Sequence, residues 1–321
     1  MNKRFIVGIA LFFSIKNLAA IKKVELEIGR APPVVVAVID SGVDISHPDL
    51  RDNIWTNIGE AGLDSLGNDK SSNGVDDDDN GFVDDIHGWN FVDNSNRVDD
   101  SQGHGTHIAA IIKNEFKRKT VSFASSTLPQ TVRLMILKYY DPKAPQQDNI
   151  AFSTRAIHYA NKMGVQIINY SGGGYEKSAT EFKAIQESQR RGILFIAAAG
   201  NSQANTDIRR YYPASYGLSN IISVAATTET GELGSFSNYG SQSVDIAAPG
   251  NEIRSALPNK KFGVMSGTSQ ATAFVSGAAA KILASKDYIL KPQQTLAELL
   301  KSCQPMRNLA GKTKNQLALL N

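Results

Sequence analysis

From residue 33 onward, short runs rich in β-branched residues alternate with segments of helical spacing, and this alternation limits the folds open to the chain more than any other feature. The runs are VVVAVID (34–40), VRLMILKYY (132–140), VQIINYS (165–171), ILFIAAAG (193–200) and IISVAAT (221–227). They are apolar throughout rather than at every second position, as strands covered on both faces are. The helical segments cover 104–116, 150–163, 178–191, 269–285 and 293–302. In the second of these, Ala156, Ile157 and Ala160 share a face, and Gly164 stands where a helix C-cap would. The expected class is α/β: a doubly wound, mostly parallel sheet with helices on both faces, in three layers. No repeat or Pro/Gly-rich linker interrupts it, so 33–321 reads as one domain. Sheets of this kind carry their active sites at the carboxyl ends of the strands.

Composition narrows the function. With 41% hydrophobic and 20% charged residues in 321, the chain has material for a large core and too little charge for disorder. A formal net charge of +3 requires no nucleic-acid partner. The single cysteine, Cys303, excludes an intrachain disulfide framework and any Cys-based metal cluster, and reads as a buried small hydrophobe. Residues 1–20 place Lys3 and Arg4 before the apolar stretch FIVGIALFFSI and end in Ala19-Ala20, the layout of a secretory signal peptide. The expectation is a secreted protein, extracellular or periplasmic, with no membrane attachment once the signal is removed. The short segment 21–32 leaves no room for a full prodomain before the first strand.

The strand and helix ends hold the chemistry. Asp40 leaves the first strand in Asp40-Ser41-Gly42, a position that a turn former also occupies. His104 lies between Gly103 and Gly105 and opens an apolar helix. The nearby His107 does not complete a zinc motif, which needs i,i+4 spacing and an intervening Glu, so it reads as a packed or hydrogen-bonded neighbour. Ser269 heads a run of small residues, where it is either a helix N-cap or a hydroxyl facing helix N–H groups. Asn201, in Ala198-Ala199-Gly200-Asn201, is either a turn residue or an amide donor to an oxyanion. The order Asp, His, Ser differs from that of chymotrypsin-type enzymes and of α/β-hydrolases, and G-x-S-x-A over 267–271 is not a nucleophile elbow.

The stretches VVVAVIDSGVDISHPDL, GHGTHIAAII, INYSGGG, AAAGN, YYPASY, FSNYG, AAPG and SGTSQATAFVSGAAA fall in one order between about residues 33 and 280. In these the chain resembles the subtilisin-like serine peptidases, the subtilases. The resemblance implies a subtilisin-like three-layer fold and hydrolysis of protein or peptide substrates through an acyl-enzyme. Ser269 would be the nucleophile, His104 the base, Asp40 its partner and Asn201 the oxyanion donor. It also implies that the segment Ser171-Gly172-Gly173-Gly174 pairs with extended substrate, the glycines admitting its backbone, with Ala199 and Gly200 in the wall of the cleft. Gln270, Ala273 and Ala110 depart from the family pattern without removing a reacting group. A silent binding module and a peptide ligase or cyclase are the alternative functions. The expected protein is a monomer, with a separate prodomain-like inhibitor or chaperone as a further partner.

Residues 76–100 hold nine aspartates and one basic residue, Arg97. Such a charge density repels itself unless solvated or neutralised. Asp76-x-Asp78-x-Asn80-Gly81 copies the first half of an EF-hand loop, but the twelfth position is His87 in place of the bidentate glutamate. Since related subtilases bind calcium in such loops, a structural Ca2+ held by Asp76, Asp78, Asn80 and Asp84 is expected. Lys113 to Lys119 reads as a solvated helix end.

Overall fold

The computed structural model describes residues 33–118, 131–286 and 290–319. The expected signal segment 1–20, residues 21–32 and Lys119 lie outside the described residues. Seven parallel strands make the body of the sheet: β1 (Val34–Asp40), β2 (Gly88–Asn90), β3 (Val132–Lys138), β4 (Ile167–Tyr170), β5 (Leu194–Ala198), β6 (Ile221–Thr227) and β7 (Ile246–Pro249). Their order is β7-β6-β5-β4-β1-β3-β2. An antiparallel hairpin, β8 (Ile253–Leu257) and β9 (Lys261–Met265), stands apart. The two-residue strands β10 (Gln304–Pro305) and β11 (Leu317–Ala318) extend the β7 edge, β11 parallel and β10 antiparallel to its neighbour. The helices are α1 (His104–Lys117), α2 (Gln146–Met163), α3 (Ala179–Arg190), α4 (Thr268–Ala284) and α5 (Pro292–Ser302).

The apolar runs are continuous because both faces of each strand are buried. From β1, Val34, Val36 and Val38 enter a core shared with α1 and α4, while Ala37 and Ile39 enter a second core shared with α2 and α3. β3 divides the same way, Leu134 and Ile136 to one side and Met135 and Leu137 to the other. This alternation across a pleated sheet yields the three expected layers. α2 ends where the sequence indicated, with Gly164 left-handed at φ 70°. On the opposite face α1 and α4 cross so closely that a Cβ on Gly277 would come within 2.6 Å of the Ile112 carbonyl oxygen.

β1 lies between β3 and β4, so the chain crosses over β1 on its way from one to the other. Ile39 and Tyr170 are in register across the β1–β4 pair, which makes Asp40 and Ser171 emerge side by side at the carboxyl edge. A crevice at such a switch point is the natural location for a site.

Several elements were not legible beforehand. β2 and β7 are only three and four residues long, and the hairpin strands are partly exposed and punctuated by Gly263. Cys303 caps α5 and packs partly buried against the α1/α4 core, where burial pushes its thiol up to about 12. Among the described residues no helix is long and apolar enough to cross a membrane.

Candidate active site

Asp40 ends β1 and is 4% exposed. Its Oδ1 accepts the Nδ1–H of His104 at 2.7 Å and the backbone N–H of Ser41 at 2.7 Å, while Oδ2 is buried with no partner. Burial alone would lower the pKa of His104, but the charge and hydrogen bond of Asp40, with a smaller contribution from the charge of Asp100, raise it above the ordinary histidine value. The approach is close because Gly105 lacks a side chain; a Cβ there would meet the Gly42 carbonyl oxygen at 2.0 Å and the Asp40 Cβ at 3.1 Å. His107 is wholly buried and donates Nε2–H to the Ile253 carbonyl at 3.0 Å. Burial lowers its pKa, in keeping with the packed role read from the sequence.

Ser269 is the second residue of α4 and is 7% exposed. Its hydroxyl donates to the Ser171 carbonyl at 2.8 Å, and no hydrogen bond joins it to His104. The Ser171 hydroxyl in turn donates to the Ser269 carbonyl at 3.2 Å and accepts from Asn169 Nδ2 at 3.0 Å, and Ser276 of α4 donates to Asn169 Oδ1 at 2.8 Å. A buried polar ladder thus ties the end of β4 to the first three turns of α4. Sequence reasoning passed over Asn169 and Ser276, which are polar residues inside otherwise apolar or small-residue runs.

Asn201 has its side-chain oxygen committed, accepting from the Thr268 N–H at 2.8 Å and the Thr268 hydroxyl at 3.0 Å. Its amide nitrogen is the remaining donor of the side chain, close to Gly267 at the N-cap of α4. The turn that presents it needs Gly200, whose φ is 101° and whose absent Cβ would meet Asn238 Nδ2 at 2.4 Å. Asn238, fully buried, donates to the Ala199 carbonyl and accepts from the N–H groups of Ser202 and Ala204.

The 171–174 segment departs from expectation in one respect. Gly174 already exchanges both backbone hydrogen bonds with Tyr212, at 2.8 and 2.7 Å, so the unpaired edge is Ser171–Gly173. Its glycines also serve the chain's own packing: a Cβ on Gly172 would meet the Tyr139 hydroxyl at 2.0 Å, and one on Gly173 the Tyr212 carbonyl oxygen at 2.5 Å.

In the acidic loop the expected ligands Asp76 and Asp78 bring their carboxylates together. Asp76 and Asp78 are joined by Glu60, one carboxylate oxygen of each lying within 4.8 Å of the others. Asn80 turns its amide to Asp85 and its oxygen to the Phe82 N–H, and Asp84 accepts the Gly74 N–H. Glu60 is fully buried; Oε1 accepts the Asp77 N–H, and Oε2 has no partner. It was missed because it stands sixteen residues before Asp76, outside the aspartate run.

The sequence model of the subtilase family matches residues 32–318. The "Major intracellular serine protease" of Bacillus subtilis (strain 168) is 31% identical over 292 residues, covering 87% of this chain and 79% of that one. The "Thermophilic serine proteinase" of Bacillus sp. (strain AK1) is 32% identical over 251 residues, 78% of this chain, which spans 52% of that longer protein. Among solved structures, a cold adapted subtilisin-like serine proteinase superposes with a TM-score of 0.64 at 25% identity, covering 89% of this chain and 88% of that one.

Proposed function

The chain belongs to the subtilase family, and from that premise we propose that it is a secreted serine endopeptidase hydrolysing peptide bonds through Ser269, His104 and Asp40. The observation that carries this reading is the 2.7 Å bond between Asp40 and His104 at the same sheet edge where Ser269 touches Ser171. Ser269 Oγ attacks the scissile carbonyl after rotating off the Ser171 carbonyl, and its proton passes to His104 Nε2. Asp40, accepting from Nδ1–H, holds the required tautomer and stabilises the imidazolium, which then protonates the leaving amine. The developing oxyanion is met by Asn201 Nδ2 and the Ser269 N–H at the positive end of α4. Water then hydrolyses the acyl-enzyme. Export rests on Lys3, Arg4 and the apolar run that follows them.

A fluorophosphonate probe tests both halves of the proposal. Cells expressing the protein are fractionated, and wild type is compared with Ser269→Ala. Label on the wild-type band alone, recovered from medium or periplasm, is the expected result. A folded wild type that takes no label sinks the protease reading, and label confined to cytosol sinks export. The mass of products from a peptide offered with a second amine distinguishes hydrolysis from ligation.

The carboxylates of Glu60, Asp76 and Asp78 fit a hard divalent cation, because the orphaned Oε2 of Glu60 is a buried acceptor with nothing else to satisfy it. Bound there, Ca2+ would supply charge neutralisation to the loop and no chemistry to the reaction. Chelation is expected to lower the unfolding midpoint by about 5 °C or more, following the roughly 2.7 kcal/mol of linkage at a hundredfold excess of ion over its Kd. Glu60→Gln should unfold at the same temperature with and without calcium. A midpoint indifferent to chelator in the wild type would remove the cation from the proposal.

A further inference from the structure

Four residues before His104, Asp100 is 7% exposed and its carboxylate accepts five hydrogen bonds. Oδ1 takes the Ser41 hydroxyl at 3.0 Å and the N–H groups of Gln102 at 2.9 Å and Gly103 at 2.8 Å. Oδ2 takes the Thr106 N–H at 2.9 Å and its hydroxyl at 2.7 Å. These donors belong to both sides of the reacting pair. Ser41 follows Asp40, gives it a backbone N–H, and accepts the N–H of Gly105, the residue after His104, at 3.0 Å. Thr106 Oγ1 also accepts the Asp44 N–H at 3.0 Å, closing the loop after β1 onto α1. Gly103, the residue at the N-cap of α1, has no side chain with which to cap it, so Asp100 supplies the acceptor that the first turn requires.

We propose that Asp100 is a positioning residue for the Asp40–His104 pair: its carboxylate locks Ser41 and the first turn of α1 together, so that the carboxylate ending β1 and the imidazole opening α1 meet in one geometry, and it adds a second negative charge behind the imidazole. Both effects act on His104 through other groups, and Asp100 touches no substrate. The titratable groups facing His104 are Asp40 from β1, Asp100 from the loop before α1, and His107 within α1, whose pKa burial lowers. The residues that α4 brings to the cleft, Thr268, Ser269 and Gln270, carry no charge. Removing the Asp100 charge therefore makes the imidazolium harder to form, so the His104 pKa falls, whereas removing only the Ser41 bridge leaves that charge in place.

The test measures the His104 pKa by NMR of its ring protons in wild type, Asp100→Asn, Asp100→Glu and Ser41→Ala, together with the pH profile of kcat/KM on a peptide substrate. In Asp100→Asn the His104 pKa should drop by several tenths of a pH unit, with the acid limb of kcat/KM following it and the plateau falling about tenfold or more in kcat rather than in KM. Asp100→Glu, which keeps the charge, should restore the pKa. Ser41→Ala should lower kcat about tenfold with the His104 pKa unmoved. An unchanged pKa in Asp100→Asn, or wild-type kcat in Ser41→Ala, overturns the inference; if Asp100→Asn does not fold, Ser41→Ala decides it. The kinetic arm rests on the proposed function and the NMR arm does not: a wild type that hydrolyses nothing while the pKa drop is present leaves the network standing and removes the protease reading.

Discussion

On the proposed mechanism, replacing His104 by alanine is expected to lower kcat for peptide hydrolysis by about 10^6-fold, and adding Ser269→Ala to that variant to lower it little further. The reason is that neither group works alone. The Ser269 hydroxyl rests against the Ser171 carbonyl and is a weak nucleophile until a base takes its proton. His104, oriented by Asp40 at 2.7 Å, has no proton to accept once the hydroxyl is gone. What should survive in either single variant is the proposed oxyanion site at Asn201 and the start of α4, which neither substitution touches. Single-turnover assays on the two single variants and the double variant check this, with circular dichroism to show that each is folded. Losses that multiply in the double variant would mean that the two residues act independently, and the mechanism would be wrong.

Glu181 is expected to make the protein less stable as the pH rises from about 4.5 to about 7. It lies on α3, 2% exposed, and burial pushes its carboxyl up to about 7. The Tyr216 hydroxyl at 2.8 Å and a long contact to Ser153 at 3.5 Å offset burial only in part. Below about pH 4.5 the folded and unfolded forms both carry the proton. Between that pH and about 7 the unfolded chain has lost its proton while the folded one keeps it, so stability declines with rising pH, by about 3 kcal/mol for a shift of this size, and levels off above. Glu181→Gln should remove that part of the slope and be the more stable protein at pH 8. Glu115, also pushed to about 7 by burial and only partly compensated by Arg118 and Lys281, acts with the same sign, so some slope should remain. Urea unfolding at pH 5 and pH 8 for both proteins measures the difference. Equal slopes in wild type and Glu181→Gln would show that the carboxylate is solvated in the folded state.

How far the sequence could be read depended on whether a residue's partner was nearby in the chain. β1 and α1 were plain because their signals are local: a seven-residue apolar run, and a glycine-flanked histidine before an amphipathic stretch. The order of Asp40, His104 and Ser269 then carried the site, although nothing local shows which side-chain oxygen meets which nitrogen. Asp100 was invisible for the opposite reason. It stood in a block of aspartates whose net charge invited a metal, and its five donors are spread over residues 41 to 106. Glu60 lacked any pattern at all, its relation to Asp76 and Asp78 being created by the fold of the loop. The SGGG run was recognised as part of the cleft, but its glycines were explained by an incoming peptide when Tyr139 and Tyr212 crowd them first. The hairpin β8–β9 escaped because its strands are half-exposed, and its turn is made by Asn259 and Lys260 at positive φ rather than by a glycine.

The crossing of α1 and α4 has a bearing on the site that its position conceals. Ile112 lies eight residues after His104, and Gly277 lies eight residues after Ser269, so the two helices touch about 12 Å along each axis from the residues they present. The arrangement is that of a pair of shears with arms of equal length, pivoting where one backbone rests on the other. In the proposed mechanism the span between His104 and Ser269 is gauged at that pivot, within the buried core shared by the two helices, by the width of a single missing methyl group.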